Sequence, residues 1–438
     1  MRNMRSLVLA ALLGGAAVLS GCSGENTEAT ADSGGSSSSA VTTTTIDFMS
    51  TYVGTDLAAQ WFKSVFDQFK KDHGDTITVN VEDVPGEQNY VDKFKLLLST
   101  EELPDVGIPA QNLLDMAVEA KVAVDLTPYM DANPELKAQF TDESLAANTY
   151  DGKVYGLPNY TSKIGYFYNK SLFEKAGISA PATTWDEFFE QLKKLKEAGI
   201  TPLSLDTADT GWITSLWFNA MIGSSDSGAE FMNTKYPTDY NRPEVVQAFG
   251  NIQNMLQNYT TTDAVGAKYD NAATHFLNGE TAMIANGTWM IGNFSDETKS
   301  IPGLADQIGV ALFPEGTLFE TPQKGYFIMA KDKAKQDAAF EFIKALVSNE
   351  SQEQNLMLTG QLPLSPQVKI SEEAAAKYPL LTDLEEQSQS AKHVIQYYQK
   401  IWYNNVCVEL SNIYPALALG DMTPEEAAQR LTETAQQN

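Results

Sequence analysis

Ile46-Asp47-Phe48-Met49-Ser50 is a short, largely apolar run, and the pattern that follows it decides the fold. Ala58, Trp61, Phe62, Val65, Phe66 and Phe69 recur at helical spacing, and Gly74 stops the helix they predict. Thr76 to Val81 then alternates, with Ile77, Val79 and Val81 on one face, which is the period of a strand. Tyr90 to Leu98 returns to the helical period, and Pro104-Asp105-Val106-Gly107-Ile108 reads as a third, short strand. Strand, helix, strand, helix, strand in this order predicts an α/β sheet with right-handed crossovers. Ligands of such sheets sit outside the carboxyl ends of the strands.

The middle of the chain is richer in helix. Thr184-Trp185-Asp186-Glu187 has capping-box spacing ahead of Phe188, Leu192 and Leu195, with Gly199 as the stop. Pro243 opens a helix through Met255, and 337–347 carries Ala339, Phe342, Ile343, Leu346 and Val347 on one face. Thr423-Pro424-Glu425-Glu426 combines a second capping box with proline at the first helical position. No internal repeat of solenoid period is present.

Towards the N-terminus the chain reads as a targeting segment. Arg2 and Arg5 precede an apolar stretch from Leu7 to Ser20, too short for a membrane-spanning helix. It runs into Leu19-Ser20-Gly21-Cys22, which resembles a bacterial lipobox. That resemblance implies a signal peptide over 1–21, cleavage before Cys22 and diacylation of Cys22, with two acyl chains giving a stable membrane anchor. Residues 22–45, rich in Ser, Gly and Thr, then read as the lipidated cysteine and a flexible tether. The only other cysteine is Cys407, in the apolar run Val406-Cys407-Val408, and it reads as a buried small hydrophobe.

The 438 residues are enough for two to three domains at roughly 150 residues each. Asp and Glu number 57 against 30 Lys and Arg, a net charge of −27, so nucleic acid is excluded as a partner by repulsion of its phosphates. Arg242 and Arg430 are the only arginines beyond the leader, which weighs against clamping an anionic ligand with a bidentate fork. His73, His275 and His393 lie far apart and in no metal-ligand spacing, and no nucleophile elbow, phosphate loop or dinucleotide motif occurs. No catalytic residue, metal site or cofactor is therefore expected.

Asp151-Gly152-Lys153-Val154-Tyr155-Gly156-Leu157-Pro158 begins a series of landmarks. It continues with Tyr168-Asn169-Lys170, with 172–178 and with Pro181 to Phe188. Phe276 to Met283, Asn286-Gly287-Thr288-Trp289, Gly309 to Pro314 and Gly360-Gln361-Leu362-Pro363 follow in order. The series, spanning about 46–436, resembles the extracellular solute-binding proteins of carbohydrate ABC importers, the maltose-binding-protein-like group. The resemblance implies a two-lobed α/β fold with a ligand cleft and a hinge of three crossovers, near Tyr160, Gln323 and Pro366. Lobe one would be 46–160 plus 323–366, and lobe two 161–322 plus 367–438. It further implies a monomer that captures a sugar and delivers it to the transmembrane permease subunits of an ABC transporter. Two other readings are a receptor for polyamines or another solute, and a surface hydrolase acting on glycans.

A sugar site needs aromatic platforms for C–H faces and amides or carboxylates for hydroxyls. Trp289, in Asn-Gly-x-Trp, resembles the family's stacking tryptophan. Trp212, in the polar loop Asp209-Thr210-Gly211-Trp212, is the second platform, while Trp217 reads as core. Tyr52 follows the first strand, Gln88 and Asn89 precede a helix after the second, and Gln111 and Asn112 follow the third. Asn159 and Tyr160 sit at the first crossing and Tyr326 at the second. Trp402 and Tyr403, in the 397–403 aromatic stretch, complete the expected set.

Overall fold

The computed structural model describes residues 43–321 and 323–437. The leader, Cys22 and most of the expected tether therefore lie outside the described residues. Strand β1 (Thr44–Ser50) is followed by α1 (Leu57–His73), β2 (Ile77–Asp83), α2 (Glu87–Thr100), β3 (Val106–Gly107) and α3 (Leu113–Glu119). β1 begins inside the segment expected to be tether, because Thr44 and Thr45 pair in parallel register with Ile77 and Thr78, and β-branched threonine suits a strand. β3 pairs with β1 through a single register position, so it is shorter than its sequence suggests. The sheet has the order Phe327–Ile328, β3, β1, β2, and only its Phe327–Ile328 edge runs antiparallel.

A second sheet is built around the ten-residue strand Tyr160–Asn169, which pairs with Thr281–Gly287 on one side and with Thr317–Thr321 and Ile308–Ala311 on the other. Two separate cores cover the two sheets. One runs from Ile46 to Leu157 and resumes from Tyr326 to Val347. The other runs from Ile164 to Phe319 and resumes at Leu356. Core membership thus changes three times along the chain. The first two changes lie side by side, where Leu157 and Tyr326 form an antiparallel bridge. Gly325 permits that approach: a Cβ there would fall 2.1 Å from the Leu157 carbonyl carbon.

The third change is spread out. Leu356 and Leu362 belong to the second core while Leu358 and Leu364 pack on the first. The helix Asn349–Thr359 straddles the boundary, tied to α1 by the Trp61 indole N–H donating to the Ser351 carbonyl at 3.0 Å. This change of core therefore starts upstream of the crossing expected near Pro366.

Several local expectations are met. Thr423 and Glu426 close a reciprocal capping box. Cys407 is 3% exposed, and burial holds its thiol well above the ordinary range. At Thr184 the box is only half made: its hydroxyl accepts from Glu187 N–H, but the Glu187 carboxylate accepts from the Thr183 backbone N–H and hydroxyl.

Candidate functional site

Between the two cores lies a cavity of about 580 Å³. Lobe one supplies Glu87 and Gln88 from the first turn of α2, and Pro109 and Gln111 from the segment after β3. These are the ends of strand–helix units, where the α/β pattern places a ligand. The strand Tyr160–Asn169 contributes Tyr160, Ser162 and Ile164. Their spacing of two puts them on one face of the strand as it passes between the lobes. Phe319, Gln323 and Gln361 line the cavity from the other two crossings.

Lobe two supplies an aromatic wall. Trp212 opens the helix Trp212–Ile222, and its ring lies 5.7 Å from both Trp289 and Tyr269 and 6.0 Å from Tyr397. Polar atoms lock these rings. The Trp212 indole N–H donates to the Tyr397 hydroxyl, which donates to Gln399 Oε1, and Gln399 Nε2 donates to Thr210 Oγ1 at 3.1 Å. The Tyr269 hydroxyl accepts from Asn286 Nδ2 at 3.2 Å. Trp289 folds back over Gly287, where a Cβ would lie 2.2 Å from the indole Cζ3, so only glycine leaves room for this ring position.

Charge in the cavity is sparse and mixed. Lys400 is the sole cation lining it among the described residues, against the carboxylates of Glu87 and Asp209. Burial pulls the Lys400 ammonium below the usual lysine range, and Glu87 acts in the opposite direction. Burial also holds the Tyr160, Tyr269 and Tyr397 phenols above their usual range, so all three are neutral hydroxyls at pH 7. Arg242 pairs with Glu244 at 2.7 Å and Arg430 with Glu409, and neither lines the cavity.

Of the residues singled out in the sequence, Trp289, Trp212, Gln88, Gln111 and Tyr160 meet in this cavity. The other seven do not line it. Tyr52 turns inward beneath Trp61 and Phe62, and its hydroxyl shares a 2.8 Å hydrogen bond with that of Tyr326, which is fully buried. Asn159 is also buried, its amide donating to the Leu346 carbonyl at 3.4 Å. Asn89 spends its amide on the Pro85 carbonyl at 2.8 Å. Asn112 and Trp402 border a small adjoining space of about 30 Å³ that shares Gln88, Gln111 and Gln399 with the main cavity, and Trp402 is otherwise core, edge-on to Tyr240 at 4.9 Å. Tyr403 stacks on Tyr236 instead, with centroids 4.7 Å apart.

Sequence reasoning missed Tyr397, Gln399 and Lys400, which lie a few residues before the chosen pair Trp402 and Tyr403. The signal was the polar-aromatic run Gln396 to Lys400, too polar for a core helix. Tyr269 and Glu87 were also missed. Each sits in the first turn of a helix, where nothing in the sequence marks it out.

Two sheet-centred lobes with a polar-aromatic cavity between them define a binding protein, and comparison with known proteins agrees. The chain belongs to the bacterial extracellular solute-binding protein family, whose model matches residues 64–382. It is similar to a binding protein of Brucella abortus, 25% identical over 296 residues that cover 66% of this chain and 69% of the relative. It is also similar to the sn-glycerol-3-phosphate-binding periplasmic protein UgpB of Brucella abortus, 30% identical over 172 residues, 38% of each chain. Among solved structures it resembles a chitin oligosaccharide binding protein with a TM-score of 0.80 and 24% identity, covering 90% of this chain and 98% of that one. A maltose-bound MalE3 of T. maritima follows with a TM-score of 0.72 and 21% identity, covering 90% and 99%. The fold is thus the two-lobed one of these proteins.

Proposed function

We propose that this protein is the ligand-capturing subunit of an ABC importer for a neutral oligosaccharide, with no catalytic activity of its own. The observation that carries the reading is the aromatic wall of Trp212, Tyr269, Trp289 and Tyr397 facing Gln88, Gln111 and Glu87 across one cavity. Aromatic faces suit the C–H faces of pyranose rings, while amides and carboxylates suit paired hydroxyls. The chitin oligosaccharide and maltose named for the similar structures are ligands of this kind. Trp289 and Trp212 are the stacking platforms, and Gln88, Gln111, Tyr160, Gln399 and Lys400 are the hydroxyl-binding groups. The lobes close on the sugar by hinge motion at the crossings near Tyr160, Gln323 and Pro366, and the permease reads the closed form. A diacylated Cys22 and the Ser/Gly/Thr-rich tether hold the monomer at the outer face of the membrane.

A thermal-shift screen against mono- and oligosaccharides tests this reading. A sugar at 100 times its dissociation constant stabilises the protein by about 2.7 kcal/mol. The recovered sugar is unshortened after incubation; a shortened product contradicts the non-enzymatic reading. Cys22→Ser moves the protein from the membrane fraction to the soluble one, and a variant that stays acylated contradicts the anchor.

A further inference from the structure

Lobe two touches lobe one at a place remote in sequence from the three crossings. Lys400 Nζ donates to the Gln111 backbone carbonyl at 3.1 Å, and Lys235 Nζ lies 3.5 Å from Asp115 Oδ1. Gln111 and Asp115 flank the start of α3, in lobe one. The two lysines are carried on segments of lobe two that brace each other. The Tyr236 N–H donates to the Ile401 carbonyl at 2.7 Å, and the Tyr236 ring stacks on Tyr403 at an interplanar angle of 20°. Tyr236 holds φ at 55°, a left-handed conformation that bulky residues avoid, so these contacts fix an otherwise disfavoured turn. Asp115 is 4% exposed and is already satisfied within lobe one, where its Oδ1 accepts from the Tyr150 hydroxyl at 2.9 Å and from Lys324 Nζ at 3.2 Å.

We propose that Lys235 is a positioning residue for ligand retention, fastening the closed cleft through its ion pair with Asp115 beside the Lys400–Gln111 contact. This rests on the sugar-capture reading above. Lys235 does not line the cavity, so it acts on the ligand only through the lobes. Asp115 keeps its lobe-one partners when the cleft opens. Opening therefore breaks the Lys235 arm without stranding a buried charge, which is what a reversible fastening needs. The Lys235 side chain is 52% exposed, so the pair is screened by salt and modest in strength.

The test measures sugar release by stopped flow, following tryptophan fluorescence, with maltotriose, chitotriose and raffinose as probes. Lys235→Ala releases a bound sugar about twofold to fivefold faster than the unaltered protein, with association unchanged. Lys235→Arg restores the slower release, and high salt erases the difference. A Lys235→Ala variant with an unchanged release rate overturns the proposal, as does a lowered melting temperature that accounts for the faster release. If none of the three sugars binds, the sugar reading fails for them, and the fastening is read without ligand. Dyes on cysteines replacing Leu96 and Leu419, 62% and 68% exposed on the two lobes, report the closed fraction by energy transfer in a Cys22→Ser background. Lys235→Ala lowers that fraction; equal fractions in the two proteins overturn the proposal.

Discussion

Lobe one meets the cavity with Glu87, Gln88 and Gln111, long side chains at the starts of helices, two of them solvent-exposed. Lobe two meets it with Trp212, Tyr269, Trp289 and Tyr397, half-buried rings that pack around Trp212, which donates a hydrogen bond to Tyr397. Gln88 donates to Asp92 at 2.9 Å and accepts from Gln111 at 3.4 Å, bonds made at an exposed surface. Ordering a long polar side chain there costs up to about 1.5–2 kcal/mol, whereas rings held in a packed wall have already lost that freedom. The contrast teaches a division of labour. Under the proposed function, lobe two is the preorganised platform for the sugar, and lobe one is the adaptable side that closes over it and reads its hydroxyls.

Alanine substitution separates most sharply the tryptophans of lobe two, which look alike in sequence. Trp402 is 2% exposed among Phe231, Tyr240 and Tyr398, so Trp402→Ala costs about 3–5 kcal/mol of stability. Chemical denaturation measures it, and a loss below about 1 kcal/mol would move Trp402 out of the core. Trp289→Ala behaves in the opposite way, weakening sugar binding by roughly 1–4 kcal/mol while the ligand-free melting temperature stays nearly unchanged. Calorimetry beside a melting curve checks both halves. A large drop in melting temperature with unaltered affinity returns the platform role to Trp212 alone.

A smaller effect belongs to the stability of lobe two itself. His275 Nε2 lies 3.0 Å from Asp263 and its Nδ1 2.5 Å from Glu280, and the hydrogen bonds to these carboxylates, Asp263 first, raise its pKa above the ordinary 6.5. A raised folded-state pKa means the protonated ring stabilises the fold. The contribution is fully present below about pH 6.5 and is lost as pH rises through the raised value. The cluster is partly exposed, so the contribution stays under about 1 kcal/mol. His275→Gln flattens the pH dependence of stability in that window. A variant that retains the wild-type slope removes His275 as its source.

The same contrast explains what the sequence disclosed. The β1–α1–β2–α2 segment was legible because its apolar spacing switches cleanly between 3.6 and 2. Trp289 was legible because Asn286-Gly287-Thr288-Trp289 resembles the family's stacking segment, and Trp212 because it lies in the polar loop Asp209 to Trp212; both line the cavity, and Gly287 leaves room for the Trp289 ring. Tyr52 and Tyr326 misled because a tyrosine after a strand or at a crossing has the same local sequence whether its ring faces a cleft or a core. Their mutual hydrogen bond, across 274 positions, decides the matter and has no local signature. Trp402 and Tyr403 stood in for Tyr397, Gln399 and Lys400 because the 3₁₀ turn Tyr398–Lys400 shifts the register of the aromatic stretch.

Under the proposed function, this cavity selects a neutral sugar. Among the described residues Lys400 is the one cation lining it, beside Glu87 and Asp209, and Arg242 and Arg430 are engaged elsewhere. Calorimetric titration with neutral oligosaccharides, the corresponding uronates and sn-glycerol 3-phosphate tests it most directly. The expected result is saturable binding of at least one neutral oligosaccharide and weaker binding of its anionic counterparts. Tight binding of sn-glycerol 3-phosphate or a uronate, with none for the neutral sugars, would contradict it.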